Sequence, residues 1–167
     1  MDSIYLSLLR FGLCLVLITT LDQSSIVLAI TAPELRGNRF MDEINADMHG
    51  RKLQQQEFLK ADLQKIDFSE SDLRGTVFNN SDLRNANLNA ADLQDVVAFA
   101  SRFDGADLRQ TNLRNGMLIQ SKFKDTLIEG ADFTDAILDL KQQKILCSFA
   151  NGTNLKTGVD TKESLRC

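Results

Sequence analysis

The chain has one histidine among its 167 residues, His49 in the stretch ADMHG. A Ser–His or Cys–His nucleophilic pair needs a histidine beside its partner, and a histidine metal centre needs further ligands at a fixed spacing. Neither can be assembled around His49, whose register points it outward at the start of the repeats described below. Glycines are scattered, and no phosphate-cradling loop occurs. Lys and Arg number 19 against 23 Asp and Glu, mixed along the chain, so the clustered bases of a nucleic-acid face are missing. The N-terminal apolar run FGLCLVLITTL, residues 11–21, is too short to span a bilayer. No catalytic, cofactor or metal residue can be named from the sequence.

The N-terminus is instead that of an export signal. Arg10 precedes the apolar run, and DQSSIVLA follows it with Val27 and Ala29 at the −3 and −1 positions of a cleavage site. Residues 1–29 are expected to be a signal peptide. An uncleaved anchor is the alternative, because IVLAI prolongs the hydrophobicity. Of the three cysteines, Cys14 lies inside this segment. Cys147 and Cys167 remain, an even count in an exported chain, and a disulfide between them is expected. Two free thiols would suit a cytosolic chain. No membrane association is expected after cleavage.

From residue 46 to 140 the sequence repeats every five residues. The central positions run Met48, Leu53, Phe58 and onward to Leu138, and 18 of the 19 are large and apolar, Ala98 being the exception. Two residues earlier, 15 of the 19 are Ala, Ser, Thr or Gly; Arg51, Gln56, Ile66 and Val96 depart. The residue between is Asp or Asn ten times. Neither a helix nor a strand has a period of five, so an internal repeat is read first. A large and a small residue two apart point to one side of an extended segment. Five residues then make one short side and one corner, four sides close a square, and residue i+20 stacks on residue i at about 4.8 Å.

The units ADLQK, SDLRG, SDLRN, ANLNA, ADLQD, ADLRQ, TNLRN and ADFTD resemble the pentapeptide-repeat family, whose consensus is A(D/N)LXX. The resemblance implies an all-β fold, a right-handed quadrilateral β-helix; the handedness comes from the resemblance alone. The chain ends and export signal are similar to the thylakoid-lumenal or periplasmic branch found in cyanobacteria and plants. The expected organisation is a signal peptide (1–29), an N-terminal lead-in or cap (30–45), the β-helix (46–140) and a short α-helical C-terminal cap (141–167). Arg51 and Gln56 in RKLQQQEFLK stand where small residues belong, so the first coil is expected to be distorted or to begin as a cap. KQQKILCSFA is expected to form a helix carrying Ile145, Leu146 and Phe149. DTKESLRC should form a second, with Asp160 as N-cap and Glu163 three residues on. NGTNLKTG reads as a turn-rich link, and Cys147–Cys167 would staple the cap.

The 20-residue stacking sorts surface residues into columns. Asp72, Asp92 and Asp132, with Asn112, share one; Arg74 and Arg114 lie beside it and could offset the repulsion. Calcium is one reading of this column, and local bonding to backbone is the other. A second column breaks the polar rule. Val77, Val97, Phe99, Met117 and Ile119, extended by Ile137, form an apolar stripe down one wall, while Leu127 is an isolated apolar residue elsewhere. A stripe of that size needs a cover. Its cover is either the chain's own ends, through Leu35, Phe40 or Ile44 or the C-terminal cap, or a homodimer or partner protein. The resulting expectation is a non-enzymatic exported scaffold or interaction module with an unknown protein partner. The alternative implied by the resemblance is a DNA mimic acting on a topoisomerase, against which stand the export signal, the short rod and the mixed charge.

Overall fold

The computed structural model of the protein describes residues 46–167. The expected signal peptide, the lead-in 30–45 and the covering residues Leu35, Phe40 and Ile44 lie outside the described residues.

Fifteen parallel bridges join residues 20 apart, from Asp47↔Asp67 to Met117↔Ile137. Each five-residue side contributes a single bridged residue, the one before the central position. Both strands of the ladder run through it. The Met48 amide donates to the Asp67 carbonyl at 2.8 Å, and the Asp67 amide donates to the Ala46 carbonyl at 2.8 Å. The parallel pairing is continuous from coil to coil, but only one residue wide on each side.

The corners explain how five residues suffice. All eighteen corner residues from Gly50 to Asp135, one every five positions, have φ between 53° and 70°. Most corners close with an amide three residues after the central residue donating back to it, as Ser71 does to Phe68 at 3.2 Å. A β-turn with positive φ at its third position needs Gly or a residue tolerant of the left-handed region. Four of the corners are Gly and six are Asn or Asp.

The central residues from Met48 to Phe133 are buried. Phe58 and Phe78 stack at 5.0 Å between ring centroids, Phe68 meets both edge-on, and Phe103 stacks on Phe123 at 5.2 Å. The small positions do more than leave room. Buried hydroxyls there reach one coil back: Ser71 donates to the Met48 carbonyl at 2.8 Å, Thr111 to Leu88 at 3.0 Å and Thr126 to Phe103 at 2.9 Å.

The first coil is regular, which corrects the expected distortion. Lys52 and Glu57 bridge to Asp72 and Val77, and the corners at 53–56 close normally. Arg51 is accommodated because it is exposed at the end of the rod, and Gln56 is only part-buried. At the other end Leu138 is half-buried rather than core. The period breaks there, since helix α1, Leu140–Cys147, begins two residues later.

The C-terminal segment closes the last coil by imitating the coil that would follow. The Phe123 amide, which would bond the carbonyl of residue 142, finds the Gln142 side-chain oxygen at 3.3 Å. The Gln120 amide likewise finds the Asp139 carboxylate at 2.7 Å. Gly130 donates to the Asn151 carbonyl at 2.9 Å, and Phe133 donates to Ser164 Oγ at 3.0 Å. Helix α2, Thr161–Ser164, starts on Asp160, whose carboxylate accepts the amides of Lys162 and Glu163. Thr153 pairs antiparallel with Asp160 across the NGTNLKTG link. Helix α1 buries Leu146; Ile145 stays partly exposed, and Phe149 lies beyond the helix end, so the expected trio is not one buried face. Cys147 and Cys167 form a disulfide, with Cα atoms 5.6 Å apart.

Candidate interaction surface

All ten Asp and Asn residues at the bridged position bond to backbone. Each side-chain oxygen accepts the amide two residues on, at 2.9–3.4 Å, as Asp67 does from Ser69 and Asp132 from Thr134. The carboxylate therefore satisfies the first amide of the corner, the local competition with backbone that Asx residues favour. Three of these aspartates also bind the arginine two residues on. Arg74–Asp72 closes at 2.6 Å, Arg84–Asp82 at 2.5 Å and Arg109–Asp107 at 2.6 Å. The hydrogen bond from Arg74, helped by Gln54, holds the Asp72 carboxyl at about 2. Arg84 holds Asp82 low in the same way. Burial pushes Asp107 up, but the Arg109 side chain and amide outweigh it, and the net direction is down.

The column of Asp72, Asp92, Asn112 and Asp132 is a continuous bridged ladder. Repulsion along it is broken by donors. Arg74 also lies 3.8 Å from Asp92, and the Asn112 amide donates to Asp92 at 2.9 Å. Arg114 does not take the expected part: among the described residues it pairs with no carboxylate, and its backbone amide bonds Asn112 instead. Among the described residues no three His, Cys, Asp or Glu side chains group to hold a metal. Asp132 is fully buried, and its Oδ2 and the buried Thr161 Oγ1 lack hydrogen-bond partners. His49 is exposed, and its ring bonds Ser69 Oγ at 2.9 Å.

The apolar stripe follows the bridged column Glu57, Val77, Val97, Met117 and Ile137. Phe99 and Ile119 sit beside it, each two residues on from the bridged position and just before the corner residues Ala100 and Gln120. Val77, Val97 and Ile119 are half-buried, while Phe99, Met117 and Ile137 are 39%, 43% and 51% exposed. The C-terminal cap does not cover them, which removes that half of the expected self-cover. The Phe99 amide is tied to Asn79 Oδ1 at 3.0 Å, so the ring projects from a fixed backbone. Val96, which over-fills its small position in the same coil, is matched by Gly116 one coil on. A Cβ built on Gly116 would lie 3.2 Å from Val96 Cγ1 and 3.0 Å from the Leu113 carbonyl.

A four-walled parallel solenoid with a Leu and Phe core and Asx-bonded corners defines a repeat protein of five-residue units. The chain belongs to the pentapeptide-repeat family: eight copies of the repeat match over residues 60–97 and 101–139. Forty residues are 62% identical to the thylakoid lumenal protein TL20.3 of Arabidopsis thaliana, covering 24% of this chain and 14% of that one. Rfr23, a pentapeptide repeat protein of the cyanobacterium Cyanothece 51142, superposes with a TM-score of 0.54 at 26% identity, over 56% of this chain and 64% of that one. A pentapeptide repeat protein of the Arabidopsis thaliana thylakoid lumen is 33% identical over 71% of this chain and 90% of that one, with a TM-score of 0.31. The match thus spans about a seventh of TL20.3 and under two thirds of Rfr23. The match to the lumenal protein TL20.3 places the chain with the exported branch of the family. Among the described residues no helix is long and apolar enough to cross a membrane.

Proposed function

We propose that the protein is a non-enzymatic interaction module of an exported compartment, a rod wound right-handed as the family resemblance implies. The stripe of Val77, Val97, Phe99, Met117, Ile119 and Ile137 is its binding face. The observation that carries this reading is the contrast between walls. Elsewhere the bridged positions are mostly Asp or Asn bonded to their own corners, whereas this column gives up that bond for exposed apolar side chains. Such residues contribute little to the fold, and burying them against a second surface is favourable at about 25 cal/mol per Å². Charge argues against the DNA-mimic alternative, because Asp72, Asp82 and Asp107 are each neutralised by their own arginine.

The test is sedimentation of the oxidised protein beside a Phe99→Glu/Met117→Glu variant, together with photo-crosslinking from position 137, which both proteins keep, in extract of the exported compartment. The wild type is expected either to self-associate or to crosslink one partner protein, and the variant to lose that behaviour while keeping its melting temperature. Identical sedimentation and crosslinks in both proteins would show that the stripe is not a binding face.

A further inference from the structure

A second apolar site lies away from the stripe, between α1 and the wall that carries Phe103 and Phe123. It is a groove of about 690 Å³ whose apolar lining includes Phe123 and the exposed side chains of Leu127, Ile145 and Phe149. Leu127, an isolated exception in the repeat pattern, gains its meaning here. It continues the bridged column Asp67, Asn87, Asp107, and it gives up the corner bond that Asp107 makes with the Arg109 amide. It remains 50% exposed, with Ile145 and Phe149 each at 38%.

The rim is cationic. Arg102 and Lys122 are bridged neighbours on successive coils, and Lys141 and Lys124 stand on the same groove. Two carboxylates answer them, Asp104 and Asp125. Asp104 is held by Arg102 at 2.8 Å and by the Lys124 backbone amide at 3.1 Å. Asp125 meets Lys124 only at 3.9 Å, with both side chains about 80% exposed, so that pair is screened and weak. Among the described residues Lys122 and Lys141 form no ion pair. The groove therefore carries surplus positive charge on a chain of net charge −4. Helix α1 is anchored beside it by the bond from the Phe123 amide to Gln142, so the walls are set before anything binds.

We infer that this groove docks an extended segment of a partner polypeptide that carries a bulky apolar side chain flanked by carboxylates. The apolar anchor would replace water on Leu127, Ile145 and Phe149, and the flanking acids would meet Lys122 and Lys141. Complementary charge at a rim steers encounter and selects partners, while the central apolar contact holds the complex. Three exposed apolar side chains fit one or two such anchors. The inference is independent of the stripe.

The test uses the oxidised full chain, immobilised and panned against a nine-residue peptide library in which Leu, Ile or Phe is flanked by Asp or Glu, with a charge-reversed Lys and Arg library as control. Affinities of selected peptides are then measured by fluorescence anisotropy. Two variants accompany the wild type: Leu127→Asn, which restores the residue type of its own column, and Lys122→Glu/Lys141→Glu. The wild type is expected to enrich acidic-flanked apolar peptides that bind less tightly as salt rises. Each variant should lose at least tenfold in affinity with its melting temperature unchanged. No enrichment over the control library, or peptides that bind both variants as well as wild type, would overturn the proposal. So would binding of anionic phosphatidylglycerol vesicles in place of peptides, or crosslinks showing that residues 30–45 of the same chain fill the groove.

Discussion

Asp72 and Asp132 stand in one column three coils apart, yet their surroundings make opposite predictions. Asp72 is held at about 2, against an ordinary value of 3.8, chiefly by its hydrogen bond with Arg74. Its carboxylate is favoured in the folded state, so its stabilisation is full above the unfolded value and is lost as pH falls through the folded one. The urea midpoint should therefore drop between pH 4 and pH 2. Asp72→Asn should flatten part of that drop; Asp67, Asp82 and Asp107, lowered by Ser69, Arg84 and Arg109, contribute to the rest. An unchanged slope in the variant would show that the Arg74 pair contributes nothing to folding. Asp132 differs because Oδ1 takes both the amide and the hydroxyl of Thr134, while Oδ2 is buried without a partner. An amide nitrogen at that place could donate down the column, as Asn87 does to Asp67 and Asn112 does to Asp92. Asp132→Asn is expected to raise stability by about 1 kcal/mol in chemical denaturation, the usual worth of regaining one buried hydrogen bond. A loss of stability would mean that the buried carboxylate oxygen is already satisfied, by an enclosed water or by the Thr161 hydroxyl.

At the scale of the coil, the unit of packing is the 20-residue column rather than the five-residue repeat. The column of Thr76, Val96, Gly116 and Ala136 shows it. Val96 brings a side chain larger than its position allows, and Gly116 one coil on removes the Cβ that would crowd it. Gly116→Ala should destabilise by about 1–3 kcal/mol, the range for overpacking a tight core. Adding Val96→Ala should recover the share due to the valine and leave the share due to the Leu113 carbonyl. Strict additivity in this double-mutant cycle would show that the two residues do not share space. This compensation was legible in the sequence to a reader who laid the chain out in twenties, as were the stripe, the core and the Asx column. Each of these follows from the stacking of residue i+20 on residue i. What lay beyond that reading obeys no period. Gln142 and Asp139 act by placing a side-chain oxygen where the next coil would have a carbonyl, and no repeat marks such residues. Leu127 looked isolated because Ile145 and Phe149, which complete its cluster, belong to a segment with different spacing. The expected distortion of the first coil failed because Arg51 is exposed and Gln56 only part-buried, so neither side chain has to fit inside the core.

For the molecule as a whole, a rod with one bridged residue per side has little to stop its last coil from fraying, since each coil contacts only its neighbours. Its C-terminal end depends on donors and acceptors borrowed from a segment with modest apolar burial of its own. Helix α1 buries Leu146, α2 is four residues long, and Asn154 spans the gap with amide bonds to the Gly130 and Thr111 carbonyls. Gln143 and the Leu165 carbonyl link α1 to the chain end at 2.6 Å, beside the Cys147–Cys167 disulfide. That disulfide closes a loop of 20 residues, for which chain entropy gives about 3 kcal/mol. Reduction, or Cys147→Ser/Cys167→Ser, should therefore lower stability by about that amount, and the loss should be local first. Hydrogen exchange of the oxidised protein should show the Phe123, Gly130 and Phe133 amides protected, because Gln142, Asn151 and Ser164 hold them. In the reduced protein these three should exchange early while Phe68 and Leu88, bonded within the rod, stay protected. Simultaneous loss of protection throughout would mean that rod and cap unfold as one cooperative unit. Unchanged protection of the three amides would mean that the side-chain contacts hold the cap without the covalent link.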